Sequence, residues 1–286
     1  MTPPTPLIID SHCHVWARWP YQPPVPDADT RATVDQLLFE MDTNGVDQAL
    51  IVCAEIDHNP DNNAAIYEVV RIHPNRLFQL VDVDSRWKPT CHQPGAANRM
   101  RQAVEAWSPK GFTHYLSAHD DGSWLYSADG LDFFSAAASN DLLASLHCYP
   151  HQQKAVREVA KRFPELPILI HHLGHLRAGD TAQLDEVLAS SECENIYIKI
   201  SGFYYATQLD HWDFPYRDVL PIVQAIYQHF GARRLCWGSD YPVVRKHMTY
   251  RQAIEVFRKY CDFVPLLDQN MILGGTMHRL LNAAVS

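Results

Sequence analysis

Short apolar runs of strand length recur eight times along this chain, and each is followed by a stretch with helical spacing. The runs are Leu7–His14, Gln48–Glu55, Leu77–Asp84, Gly111–Leu116, Leu142–Tyr149, Pro167–Leu173, Ile196–Ser201 and Arg234–Gly238. Largely apolar runs, rather than alternating ones, suit strands covered on both faces, as in a parallel sheet. Strict alternation of strand and helix implies right-handed crossovers between parallel neighbours. Eight units in 286 residues fit a closed barrel, which needs roughly 250 residues, better than an open doubly wound sheet. The expected fold class is α/β: a (β/α)8 barrel of the TIM type, a single domain over residues 1–286, with an extra C-terminal helix. Thr30–Asn44 illustrates the helical units. Val34, Leu37, Leu38 and Met41 recur at helical spacing, Thr30 is placed to cap, and Gly45 to stop. The last segment, Val264–Ala284, reads as the closing helix.

Composition narrows the function classes. Hydrophobic residues make up 47% and charged residues 20%, enough for a large core and against disorder. A formal net charge of −9 and a pI near 5.9 argue against nucleic acid and anionic membranes as partners. Neither G-x-G-x-x-G nor G-x-x-x-x-G-K-[ST] occurs. The seven cysteines include no C-x-x-C pair, so reduced thiols in a cytoplasmic protein are expected. The leading residues MTPPTP do not read as a signal peptide, and no apolar run is long enough to span a membrane. A small-molecule substrate is the remaining expectation. Aromatic residues crowd the loops after the strands, among them Trp16, Trp19, Tyr21, Trp124, Tyr204, Tyr205 and Trp212. They suit a flat or cyclic substrate, a lid, or a homo-oligomer contact.

In such a barrel, function gathers at the C-terminal ends of the strands. The first strand ends in Asp10-Ser11-His12-Cys13-His14, where alternation turns both imidazoles one way with Asp10 a layer below. Alone, His-x-His serves equally as a pair of core histidines. Later strands add Glu55, Asp82, Asp84, His114, His147, His171, His172, Lys199 and Asp240. Neutral nitrogens with a carboxylate are what a zinc-like ion takes. Adjacent His171 and His172 should face opposite ways on a strand, so only one is expected in the site. Lys199, in an otherwise apolar strand, must reach a partner or the pocket.

Five motifs in order resemble those of the amidohydrolase superfamily, in its lactonase-like and decarboxylase-like branch. They are Asp10-Ser11-His12-Cys13-His14, Ile170-His171-His172-Leu173-Gly174, Tyr197-Ile198-Lys199-Ile200-Ser201-Gly202, Trp237-Gly238-Ser239-Asp240-Tyr241-Pro242 and Ile272-Leu273-Gly274-Gly275-Thr276. The resemblance covers the whole chain. It implies a metal site of His12, His14, His147 and Asp240, with zinc first and manganese second, although some members of the branch work without metal. It implies His172 as a contact to substrate or water. Lys199, Trp16 and Tyr241 are the expected substrate contacts. Three positions depart from the pattern: His114 stands where many members carry an arginine, His171 replaces an aspartate, and His175 replaces a lysine. Arg18, Arg86 and Arg245 remain available for anions.

The expected reaction is metal-dependent hydrolysis of a small lactone or cyclic ester by activated water. Asp240 would act as general acid/base and His172 would orient the water. The rival reading is a metal-dependent non-oxidative decarboxylase of an aromatic or muconate-like acid, with Asp240 protonating the ring carbon.

Overall fold

Eight strands form one parallel sheet in sequence order: β1 Ile9–Cys13, β2 Gln48–Val52, β3 Leu77–Asp82, β4 Gly111–Tyr115, β5 Leu143–His147, β6 Ile168–Ile170, β7 Ile196–Ile200 and β8 Leu235–Trp237. The computed structural model describes residues 6–210 and 212–283. The two ends of the single-domain reading, including Ala284 of the expected closing helix, lie outside them. The sheet curls round until its first and last strands meet. A parallel bridge joins Cys13 to Tyr241, and His14 N–H donates to the Tyr241 carbonyl at 2.6 Å. The expected (β/α)8 barrel is therefore the observed one.

The interleaved helices are α1 Val34–Asn44, α2 Asn62–Ile72, α3 Ala96–Trp107, α4 Ala128–Ala138, α5 Gln153–Arg162, α6 Thr181–Ala189, α7 Phe203–Ala206, α8 Leu220–Phe230, α9 Tyr250–Tyr260, α10 Leu266–Asn270 and α11 Thr276–Leu281. Two apolar regions hold the layers. Ile9, Leu50, Val52, Leu80, Leu169 and Cys236 fill the barrel, and a larger shell lies between strands and helices. Each fully buried Leu or Ile contributes about 1.5–3 kcal/mol, so the filled barrel is a rigid platform for whatever stands at its mouth.

Two boundaries differ from expectation for local reasons. Helix α1 starts after Thr33, whose hydroxyl accepts from Gln36 N–H, because the Thr30 hydroxyl is turned back to the Asp27 carbonyl. The closing segment is helical without a break from Leu266 to Leu281, later in its start than expected, and its middle, Met271–Gly275, is a π turn between α10 and α11. Gly274 sits in that turn because a Cβ there would stand 2.0 Å from the Leu7 carbonyl oxygen. Among the described residues, no helix is long and apolar enough to cross a membrane, and all seven cysteines are free thiols.

Candidate active site

The seam between β1 and β8 builds the centre of the barrel mouth. A bulge in β1, between Asp10 and Cys13, puts its pairing with β2 out of step. Asp10 does not stand below the histidines. It accepts from Ser239 N–H at 2.9 Å, Ser239 Oγ at 2.5 Å, Tyr250 Oη at 2.9 Å and His12 N–H at 3.1 Å. Its role is to pin β1 to the loop after β8 and to α9. Asp240 N–H in turn donates to the His12 carbonyl at 2.8 Å. Gly238 permits the approach, since a Cβ there would lie 2.8 Å from the His12 Cβ.

Across this seam His12 Nε2 and His14 Nε2 each stand 3.4 Å from Asp240 Oδ1, with His172 Nε2 at 3.8 Å. The other carboxylate oxygen, Oδ2, accepts from the hydroxyls of Tyr204 and Tyr205, the latter at 3.0 Å. Burial alone would raise the Asp240 pKa. His172, His12 and His14 outweigh it, and the carboxyl is held well below its ordinary value. Burial pushes His12 down to about 3 and His172 well below the ordinary imidazole value, so these two rings are held neutral. Asp240 has a positive φ of 58° and His172 one of 47°, conformations that cost non-glycine residues energy and gather at functional sites.

The positive φ of His172 also decides which of the adjacent histidines faces inward. The strand ends at Ile170, and both rings come close to the ring of His12. Of the two only His172 lines the cavity, as expected of one of the pair, while His171 lies beneath it against Ser145 Oγ. The ring of His171 lies 4.4 Å and that of His172 4.5 Å from the ring of His12. Gly202, at φ 65°, makes room behind His172.

Around this floor opens a cavity of about 990 Å³. Tyr21, Trp87, Tyr115, Tyr149 and Tyr205 give it aromatic walls, and Arg86, Arg177 and Lys246 supply positive charge. His147 stands on the wall. Its ring stacks on Tyr115 at 4.8 Å and meets His175 at 4.2 Å, and its Nδ1 has no hydrogen-bond partner. The three expected substrate contacts lie behind the walls. Trp16 stacks on His14 at 4.5 Å and donates to the Ala54 carbonyl. Tyr241 donates to the Arg31 carbonyl at 2.6 Å. Lys199 lies beneath His12.

Other expected participants are spent elsewhere. His114 faces the helix layer and reaches His92 at 3.3 Å, while Glu55 pairs with Lys88 and Asp84 with Arg99. Asp82 accepts from Glu55 N–H and Trp87 Nε1. Arg18 pairs with Asp29 and Arg245 with Asp27. Tyr115, Ser145 and Ser201 escaped notice in the sequence, although Ser145 shares a strand face with His147 by the period-two rule.

Metal fit can be tested on the donors. Among the described residues, two groups of three can bring ligand atoms within 4.8 Å: His12, His14 and Asp240; and His12, His171 and His172. His147 belongs to neither. The 3.4 Å separations match the about 3.3–3.4 Å edge of a tetrahedron with bonds near 2.0–2.1 Å. His14 Nδ1 donates to the Val52 carbonyl at 2.8 Å, so the lone pair on Nε2 faces a carboxylate oxygen. A cation between them satisfies both. The donor set fits a divalent metal, with one condition at His12, whose Nδ1 meets the Lys199 amine.

A closed parallel barrel thus gathers histidines and a carboxylate at its C-terminal mouth, the end of such a barrel where function sits. The family model for amidohydrolases matches residues 9–282, and the chain belongs to that family. An L-fucono-1,5-lactonase from Burkholderia ambifaria is 29% identical over 142 residues, 48% of this chain and 47% of the lactonase. The matched stretch thus spans about half the length of that curated relative. A zinc-bound amidohydrolase structure from Burkholderia multivorans superposes with a TM-score of 0.77 at 21% identity, covering 96% of this chain and 99% of that one. A probable 2-pyrone-4,6-dicarboxylic acid hydrolase from Acinetobacter baumannii, solved with citric acid, gives 0.74 at 22% identity, covering 96% and 98%.

Proposed function

We propose that this chain hydrolyses a small lactone or related cyclic ester, with Asp240 as general acid and base. One observation carries the reading: a buried carboxylate, held ionised, turns a single oxygen to the floor of a cavity of about 990 Å³. When bound, a divalent metal on His12, His14 and Asp240, zinc by the nitrogen-rich donor set, supplies carbonyl polarisation and acidifies water.

The chain's own residues do the rest. Tyr204 and Tyr205 occupy Oδ2, which leaves Oδ1 to take the proton of a water lying against His172 Nε2. Asp240 then returns the proton to the leaving alkoxide as the ring opens. His172 orients the water and His147 contacts the substrate from the wall. The aromatic walls favour a flat ring. Arg86, Arg177 and Lys246 have no ion pair among the described residues and favour an acidic or hydroxyl-rich substituent on it.

The test is a panel of five- and six-membered lactones followed by acid release. Asp240→Asn should lower kcat/KM for the best substrate by about 10²–10⁴-fold with the fold intact. Near-native turnover in that variant refutes the assignment. Release of carbon dioxide from an aromatic acid, with no lactone turned over, replaces hydrolysis by the lyase reading.

A further inference from the structure

On the helix side of β4, away from the cavity floor, three polar side chains stand in a row: His114 on the strand, His92 in the loop after β3 and Asp120 in the loop after β4. His114 Nδ1 stands 3.0 Å from the Val83 carbonyl, His114 Nε2 3.3 Å from His92 Nε2, and His92 Nδ1 3.2 Å from Asp120 Oδ2. A carbonyl only accepts, so His114 Nδ1 donates to it. Burial holds the His114 ring neutral, its pKa pushed down to about 4, so its Nε2 carries a lone pair. His92 Nε2 must then donate. A neutral His92 has spent its one hydrogen there and turns a lone pair toward the Asp120 carboxylate. The imidazolium has a hydrogen for each neighbour.

His92 also lies flat on Trp124, ring centroids 4.4 Å apart at 11°, and a positive ring gains from that face. Its φ of 57° is a conformation that costs non-glycine residues energy. The titratable and charged groups facing it are Asp120, Asp84 with its partner Arg99, His114 and the neighbouring Cys91. Burial lowers the His92 pKa, and Asp120 and Asp84 pull it back in part. Trp124 is held separately, against Phe133 and beside the fully buried Leu125, so Asp120 can swing away while His92 stays covered. Without its anion, a covered His92 holds a proton less well. Proton and tie therefore favour each other: the tie is firm below the His92 value, which lies under 6.5, and slack above it.

The tie reaches the cavity. The Asp120 carbonyl accepts from Gln152 Nε2 at 2.6 Å and His151 Nε2 at 3.0 Å, and Gln152 Oε1 accepts from Tyr149 N–H at 2.9 Å. Tyr149 and His151 line the cavity. His151 donates through Nε2 whether its ring is charged or neutral, so its own bond does not switch.

We infer that His92 is a pH-sensitive tie: doubly protonated, it fastens Asp120 and steadies the Tyr149–His151 wall of the cavity; neutral, it lets both loosen. The inference needs no particular reaction at the cavity floor.

The experiment follows the full-length ¹⁵N-labelled chain by NMR from about pH 8 down to 5, with His92 assigned through its backbone. The His92 ring should gain its second proton with a midpoint below 6.5. The backbone amides of Gly122, which donates to Asp120 Oδ1, and of Tyr149 should shift with that same midpoint. Asp120→Asn should lower the His92 midpoint by about half a unit to one unit. His92→Gln should remove that midpoint from both amides. A His92 midpoint unmoved or raised in Asp120→Asn overturns the inference, and this result stands even if His92→Gln fails to fold. A Tyr149 shift that keeps the parent midpoint in His92→Gln overturns it as well. None of these readouts needs a substrate, so they stay separate from failure of the lactone assay.

Discussion

The two oxygens of Asp240 are not equivalent. Oδ2 is tied by two phenols, while Oδ1 faces three imidazoles. A hydroxyl donating to a carboxylate favours its ionised form, so removing one raises the pKa. Tyr205→Phe should therefore move the acid limb of the kcat/KM profile upward by about one pH unit, with the alkaline limb unmoved. An unshifted limb would mean that Asp240 ionisation does not govern the rate. At this scale much was legible. His12, His14, His172 and Asp240 converge as the sequence suggested, because their strands end where strands of a barrel must. That one of the adjacent pair, His172, lines the cavity was legible; that the ring of His171 also packs close to His12, beneath the floor, was not. Alternation is a rule for extended backbone, and the chain leaves it at His172 with a φ of 47°. His114 shows the rule holding: Tyr115 faces the cavity, so its neighbour faces out.

Among the elements, the seam of β1 and β8 is held by one buried carboxylate with four donors. Asp10→Asn keeps the volume but swaps an acceptor for an amide donor facing the Ser239 and Tyr250 hydroxyls. A cost of about 2–4 kcal/mol is expected, read as a lower urea midpoint. An unchanged midpoint would show that the seam is held by backbone pairing alone. The strands were readable because burial on both faces leaves an apolar signature that little else imitates. Helix starts were less so: Thr30 and Thr33 look alike in sequence, and the choice turns on whether a hydroxyl meets Gln36 or the Asp27 carbonyl. The π turn was hidden because its cause is Leu7, at the far end of the chain.

Taken whole, the molecule holds a group of buried histidines uncharged. His12, His114, His147, His171 and His172 are all buried, and burial lowers each, to about 3 for His12 and about 4 for His114. A depressed pKa contributes stability above the unfolded value, near 6.5, that is lost as pH falls toward the folded one. Asp10 and Asp82, raised by burial to about 6, act in the opposite sense: the stability they contribute is present below their unfolded value and lost as pH rises through 6. The histidines outnumber them. Stability should fall by about 3–4 kcal/mol per pH unit near pH 5, and the chain should unfold within about two to three units below 6.5. Urea midpoints at successive pH values measure this, and a flat profile between 7 and 5 would contradict it. The seam has a further consequence, for synthesis. The end of the first strand supplies two of the four converging groups at the centre, His12 and His14, and the loop after the last strand supplies the carboxylate they face, Asp240. A ribosome must release all eight strands before the pair can meet its carboxylate, so the converging groups and the closed barrel come into being together.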